Sequence, residues 1–143
     1  KLETNGTRPA IIKELLDENL LDCLCMDYKA PLDERLMTVT RVNESATALA
    51  AVKETFALAA SSGIEREYHT TLCPTYINES ILEEMGAALE EGGTWFLQQY
   101  ETDLLLDEDA AGEKRFDVDE LDAIEAIAKK HHSKIMLRRG KGA

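Results

Sequence analysis

Short β-rich runs alternate with segments of helical spacing along this chain, and that rhythm leaves it few ways to fold. The clearest run is Leu24-Cys25-Met26-Asp27-Tyr28-Lys29, closed by Pro31. Side chains two apart in a strand share a face, so Cys23, Cys25, Asp27 and Lys29 belong to one side and Leu24, Met26 and Tyr28 to the other. A strand that is apolar on both sides until its carboxyl end reads as buried in a parallel sheet, with polar groups gathered where α/β folds keep their sites.

The other elements follow in the same rhythm. Lys1-Leu2-Glu3-Thr4 reads as a short strand closed by the turn dipeptide Asn5-Gly6. Thr7 is the expected cap of a helix with Pro9 in its first turn and Ile11, Ile12, Leu15, Leu16 and Leu20 at helical spacing. After the strand at about residues 22–29, Leu32–Val42 shows no period and reads as a loop with at most a turn of helix. Asn43 or Ser45 is expected to cap the next helix, striped by Leu49, Val52, Phe56 and Ala60 and ended by Gly63.

Glu67–Cys73 is the third strand, stopped by Pro74, and Asn78 caps a helix with Ile81, Leu82, Met85 and Leu89 on one face. Trp95–Tyr100 is the fourth strand, and the acidic stretch Glu101–Glu113 reads as a surface loop. Asp117 and Glu120 make a capping-box start for a last helix carrying Val118, Leu121, Ile124 and Ile127. This gives one body over residues 1–128, followed by a basic segment, 129–143, that is a tail or one more short strand through Ile135-Met136-Leu137. Strands that alternate with helices pair in parallel through crossovers.

Composition narrows the function classes. A hydrophobic share of 44% over 143 residues suits one globular core. The formal net charge of -12 has the wrong sign for a nucleic-acid or anionic-membrane partner. No apolar run approaches the roughly 20 residues of a membrane span, and no signal-peptide pattern is present, so a cytoplasmic setting is expected. The three cysteines, Cys23, Cys25 and Cys73, match neither a zinc knuckle nor a redox Cys-x-x-Cys, and read as small buried hydrophobes.

If the strands are adjacent and parallel, four sets of polar residues meet on one rim. They are Glu3, Thr4 and Asn5; Asp27 and Lys29; His69, Thr70 and Thr71; and Gln98, Gln99 and Tyr100. Carboxylates, an ammonium, an imidazole and amides around one mouth suit a zwitterionic, hydroxyl-rich ligand. They do not compose a nucleophile with its base. Spacing leaves two readings of Asp27 and Lys29 open, a mutually neutralising pair or a ligand-binding one. Trp95 reads as core, His69 as a rim or core histidine as readily as a catalyst, and His131-His132 as a solvated helix end.

The series Leu2-Glu3-Thr4-Asn5-Gly6-Thr7, Met26-Asp27-Tyr28-Lys29-Ala30-Pro31, His69-Thr70-Thr71-Leu72-Cys73-Pro74 and Leu97-Gln98-Gln99-Tyr100 resembles the later half of radical S-adenosylmethionine (SAM) activating enzymes. Activators of anaerobic ribonucleotide reductase are most similar, then activators of pyruvate formate-lyase. The resemblance implies an α/β fold, a partial (β/α)6 barrel whose third to sixth strands are the four here, with helices on the outer face. It implies that Glu3, Thr4, Asn5, Asp27, Lys29, His69 and Gln98 contact SAM, and that His69 stands where relatives usually carry arginine.

The Cys-x-x-x-Cys-x-x-Cys motif for a [4Fe–4S] cluster and the glycine-glycine-glutamate segment belong to the first two strands of such barrels and are not found in this sequence. The chain is therefore expected to be the carboxyl-terminal portion of an enzyme that, when complete, cleaves SAM reductively and forms a glycyl radical on a partner enzyme. By itself it is expected to be inactive, without catalytic or metal-ligating residues of its own and with no tightly bound cofactor. Its edge at Lys1–Thr4 lacks proline or a bulge signal and is expected to permit self-association. The competing class is a non-catalytic α/β ligand-binding or assembly domain using the same rim.

Overall fold

The structure, a computed structural model, describes residues 1–42, 45–101 and 114–140. Its elements are β1 (Leu2–Thr4), α1 (Pro9–Asp17), β2 (Cys23–Asp27), α2 (Glu34–Thr40), α3 (Ser45–Ser61), β3 (Glu65–Leu72), α4 (Glu79–Ala88), β4 (Thr94–Gln99), α5 (Val118–His131) and β5 (Ile135–Arg138). The strands form one sheet in the order β1-β2-β3-β4-β5. Every neighbouring pair is parallel. Among the described residues, β1 and β5 are the two edges. The Ile135–Arg138 segment, which sequence left open between tail and strand, pairs with β4.

One face of the sheet carries the core. Leu24, Met26, Tyr28, Tyr68, Leu72, Trp95 and Leu97 pack with Ile12 of α1, Ala59 of α3, Leu82 and Met85 of α4, and Leu121, Ile124 and Ile127 of α5. This is the side that alternation assigned to Leu24 and Met26. A second cluster joins Ala30, Leu36, Met37 and Val52, seating α2 on α3.

Local chemistry explains the helix ends. The Asn78 side chain accepts the Ile81 N–H at 2.9 Å. At α5 both halves of the Asp117–Glu120 capping box are formed, at 2.8 and 2.9 Å. Gly63, at φ 76°, takes the left-handed conformation that ends α3. Asn43 lies outside the described residues, as do the Ser45 side chain and most of the 101–113 stretch read as a surface loop.

Three local expectations are corrected. Leu32–Val42 is not a loop but holds the two-turn α2, whose start is capped by Asp33 accepting the Arg35 N–H and whose end is Arg41 at φ 54°. Thr7 does not cap α1: Arg8 occupies that position without a side-chain bond, and the Thr7 hydroxyl donates to Asn5 Oδ1 at 2.8 Å. His132 is not solvated. It is 1% exposed, and its Nε2 donates to the Gly93 carbonyl at 2.8 Å, because the extended backbone after α5 turns the ring inward to meet Tyr68 edge-on.

Candidate functional site

The opposite face of the sheet is built from the alternate residues of the same strands. In register, Glu3 lies beside Cys25, Cys25 beside Glu67, and Asp27 beside His69. At the carboxyl ends of β1, β2 and β3 these residues border a hollow of about 240 Å³, lined by Glu3, Thr4, Asn5, Cys25, Met26, Asp27 and His69. Met26 only grazes it, being 1% exposed and packed on the helix side.

The loop carrying Asn5 is fixed by three bonds. Thr4 Oγ1 accepts the Gly6 N–H at 3.1 Å, and Asn5 Oδ1 accepts the Thr7 N–H at 3.2 Å. Buried Thr55 of α3 donates its hydroxyl to the Gly6 carbonyl at 2.8 Å. Gly6 is at φ 80°, where a side chain would be strained. Helix α3 thereby holds the first wall of the hollow in place.

Asp27 and Lys29 form an ion pair at 3.0 Å, and the ammonium also donates to Thr71 Oγ1 at 3.2 Å. Lys29 is thus tied across β2 and β3, while the Asp27 side chain, 46% exposed, keeps an open side toward the hollow. His69 stacks on Phe96 with ring centroids 4.8 Å apart, and the Arg138 guanidinium lies 4.4 Å from the Phe96 centroid on the same ring system. Through this stack β4 and β5 support the imidazole.

The strongest electrostatic feature is a residue that the motif reading passed over. Glu67 Oε2 lies 2.9 Å from His69 Nε2, accepts from the Lys1 ammonium at 2.9 Å, and accepts from the Cys25 thiol at 3.4 Å. Burial alone would raise this carboxyl, yet the bonds from His69, Lys1 and Cys25 outweigh it and hold the group at about 2. Burial, followed by donation to Glu67, pushes the Cys25 thiol up to about 12. The signal was present in the sequence, since Glu65, Glu67, His69 and Thr71 share one face of β3 by simple alternation.

Glu3, Thr4, Asn5, Asp27 and His69 are brought together at the hollow, and Lys29 reaches it through its pair with Asp27. Gln98 does not border it; the residue is exposed on β4, in register with Thr71 and Arg138. Thr70 and Gln99, placed on the rim by their position at strand ends, face the core instead and are each 1% exposed. The Thr70 hydroxyl donates to the Tyr28 carbonyl at 2.5 Å and accepts from Trp95 Nε1 at 2.9 Å.

This donor set suits a zwitterion bearing hydroxyl groups, with carboxylates for an ammonium and an ammonium, imidazole and amide for oxygens. It does not suit a three-thiolate iron–sulfur cluster. Among the described residues the thiols that come together are Cys23 and Cys25, whereas Cys73 lies beyond the end of β3 and outside that group.

A one-sided parallel sheet with a polar hollow at its carboxyl rim defines the class: an α/β partial-barrel fragment. No family model matches the chain. It is 25% identical, over 96% of its length, to a Methanocaldococcus jannaschii protein assigned as a glycyl-radical enzyme activating enzyme, and it spans 58% of that relative's length. Its fold aligns over 98% of the chain with the crystal structure of a radical SAM methyltransferase from Sphaerobacter thermophilus, at a TM-score of 0.73 and 17% identity, covering 40% of that protein. The second likeness is one of fold. Together they bear out the resemblance to the carboxyl-terminal part of radical SAM activating enzymes. Among the described residues no helix is long and apolar enough to cross a membrane.

Proposed function

We propose that this chain supplies the carboxyl-terminal half of a SAM-binding barrel in an enzyme that activates a glycyl-radical partner. The observation that carries the reading is the convergence of Glu3, Asn5, Asp27 and His69 on one hollow at the ends of three adjacent parallel strands. Glu3 and Asp27 are the groups for a ligand ammonium, Thr4 and Asn5 fix the first wall, and Lys29 and His69 face oxygens, with Gln98 completing the rim further along the sheet. Glu3, Asp27, Lys29 and His69 would hold SAM at this rim, and the cofactor would supply the radical chemistry of the complete enzyme toward a glycine of the partner. The residues of this chain bind and orient; they move no proton in that reading, and the chain alone is inactive. The open edge of β1 is a place where a second strand, from the same or another chain, pairs.

The test is a titration of the 143-residue chain with SAM followed by amide resonances. Shifts are expected at Asn5, Asp27 and His69 and not at Leu82 or Met85, which α4 buries in the core on the other face of the sheet. An absence of shifts at millimolar SAM, or shifts confined to other surfaces, refutes the assignment of this hollow. Cleavage of SAM by the isolated chain under strong reductant would refute its inactivity.

A further inference from the structure

We propose that Cys23, Cys25 and Glu67 form a binding site for one thiophilic divalent cation of the zinc type, with a fourth position open on the hollow side of the sheet. The site does not depend on the reading of SAM binding. Strand geometry creates it: Cys23 and Cys25 share a face of β2, and the β2–β3 register sets Glu67 directly beside Cys25. The two sulfur atoms are 3.9 Å apart, and Cys25 Sγ is 3.4 Å from Glu67 Oε2. One ligand atom from each of the three lies within 4.8 Å of the others.

Those separations are the edges of a metal tetrahedron. With zinc–sulfur bonds of about 2.3 Å and zinc–oxygen bonds of about 2.0 Å, tetrahedral angles require S···S of about 3.8 Å and S···O of about 3.5 Å. The structure has two of the three edges at these lengths, and the third, from Cys23 Sγ to the Glu67 carboxylate, is within 4.8 Å, so a cation draws the donors together by at most a side-chain adjustment. Two soft thiolates with one carboxylate favour zinc over calcium or magnesium, which require mainly oxygen donors.

Charge and proton balance also close. Binding replaces the two thiol protons, which leave to solvent, by one cation; two thiolates and a carboxylate around a 2+ ion leave a single negative charge. The Lys1 ammonium, 3.0 Å from Glu67 Oε1, stands where it offsets that charge. His69, whose Nε2 lies 2.9 Å from Glu67 Oε2, is a positioning residue that aims the carboxylate. Cys73, also buried and free, is not part of the group.

The experiment strips the full chain with a chelator and titrates it with cobalt(II) alone, then displaces cobalt with zinc. Expected are thiolate-to-cobalt absorption in the near ultraviolet and intense tetrahedral visible bands, saturating at one equivalent, with release of two protons and bleaching by zinc. Cys23→Ser and Cys25→Ser should each abolish the thiolate absorption of the two-sulfur site, and Cys73→Ser should leave it unchanged. His69→Phe should weaken cobalt binding by about 10–100-fold without removing the absorption. Absence of thiolate absorption in the parent chain, or its loss in Cys73→Ser, overturns the site. Glu67→Gln removes a ligand whose side chain is 19% exposed and so leaves the core intact; unchanged cobalt affinity in that variant overturns the three-ligand set even if the cysteine variants misfold.

Discussion

The two faces of the sheet use alternate residues of the same strands, yet they are held by different forces. On the helix side, Leu24, Met26, Tyr28, Tyr68, Leu72, Trp95 and Leu97 are each at most 1% exposed. On the open side, the side chains of Glu67, His69 and Asp27 are 19%, 23% and 46% exposed and are tied by hydrogen bonds and charge. Burial is non-directional and summed over area, so the first face tolerates few vacancies. Polar contacts at a half-wet surface are individually weak and can be exchanged for a ligand. The sheet therefore places its stability on one side and its chemistry on the other, a residue apart.

The largest test of that division is Trp95→Ala. Trp95 is fully buried, its ring centroid is 6.1 Å from that of Tyr28, and its Nε1–H donates to Thr70. Removing it leaves a cavity and deprives the buried Thr70 hydroxyl of the donor it accepts from, while its bond to the Tyr28 carbonyl remains, with an expected loss of about 3–5 kcal/mol. A urea denaturation series at constant slope reads the change. A loss below about 1 kcal/mol would mean that the helix side is far looser than its burial implies.

A smaller effect should come from Glu67 on the open side, and it should depend on pH. Its carboxyl is held at about 2 in the folded chain against an ordinary value of 4.5. The native state thus disfavours protonation, so the contribution is complete above about pH 4.5 and is lost as pH falls through about 2. Because the group borders solvent, screening reduces the contribution to about 1 kcal/mol. Stability profiles of the parent and Glu67→Gln should converge toward the acid end of that window and separate above it. Parallel profiles across the window would show that the Lys1–Glu67–His69 bonds do not couple to folding.

Much of this division was legible in the sequence, because a period of two assigns faces wherever a strand is recognised. Alternation put Leu24 and Met26 against the helices and Asp27 on the open side, and the capping chemistry of Asn78 and Asp117 marked two helix starts. Seven-residue α2 escaped because it offers only Leu36 and Met37 as buried positions, too few to display a helical period. His132 escaped because its burial depends on the Gly93 carbonyl, 39 residues away in sequence. The Cys25–Glu67 contact likewise depends on inter-strand register, which alternation within one strand does not give. Thr70 and Gln99 were misplaced because proximity to a strand end was allowed to override their parity. For His132 and for the Cys25–Glu67 contact a neighbouring element, rather than the residue's own stretch, decided the outcome.

The smallest stability effect is expected for Asp27→Asn, and it sharpens the contrast most. The Asp27–Lys29 pair is close at 3.0 Å, but its side chains are 46% and 26% exposed, and such half-wet pairs contribute roughly 0–1 kcal/mol. After the substitution Lys29 retains its bond to Thr71 Oγ1, so neither partner is left buried and unpaired. The midpoint of urea unfolding should therefore barely move. If the hollow takes the ammonium of a zwitterion, the same change removes one of its two carboxylates and should weaken SAM binding by about tenfold, the effect of about 1.4 kcal/mol. Calorimetry and denaturation on one preparation separate the two roles: weaker binding at unchanged stability assigns Asp27 to the ligand. A stability loss above 2 kcal/mol with binding intact would make the pair a strut of the sheet, with its chemistry on the structural side of the division after all.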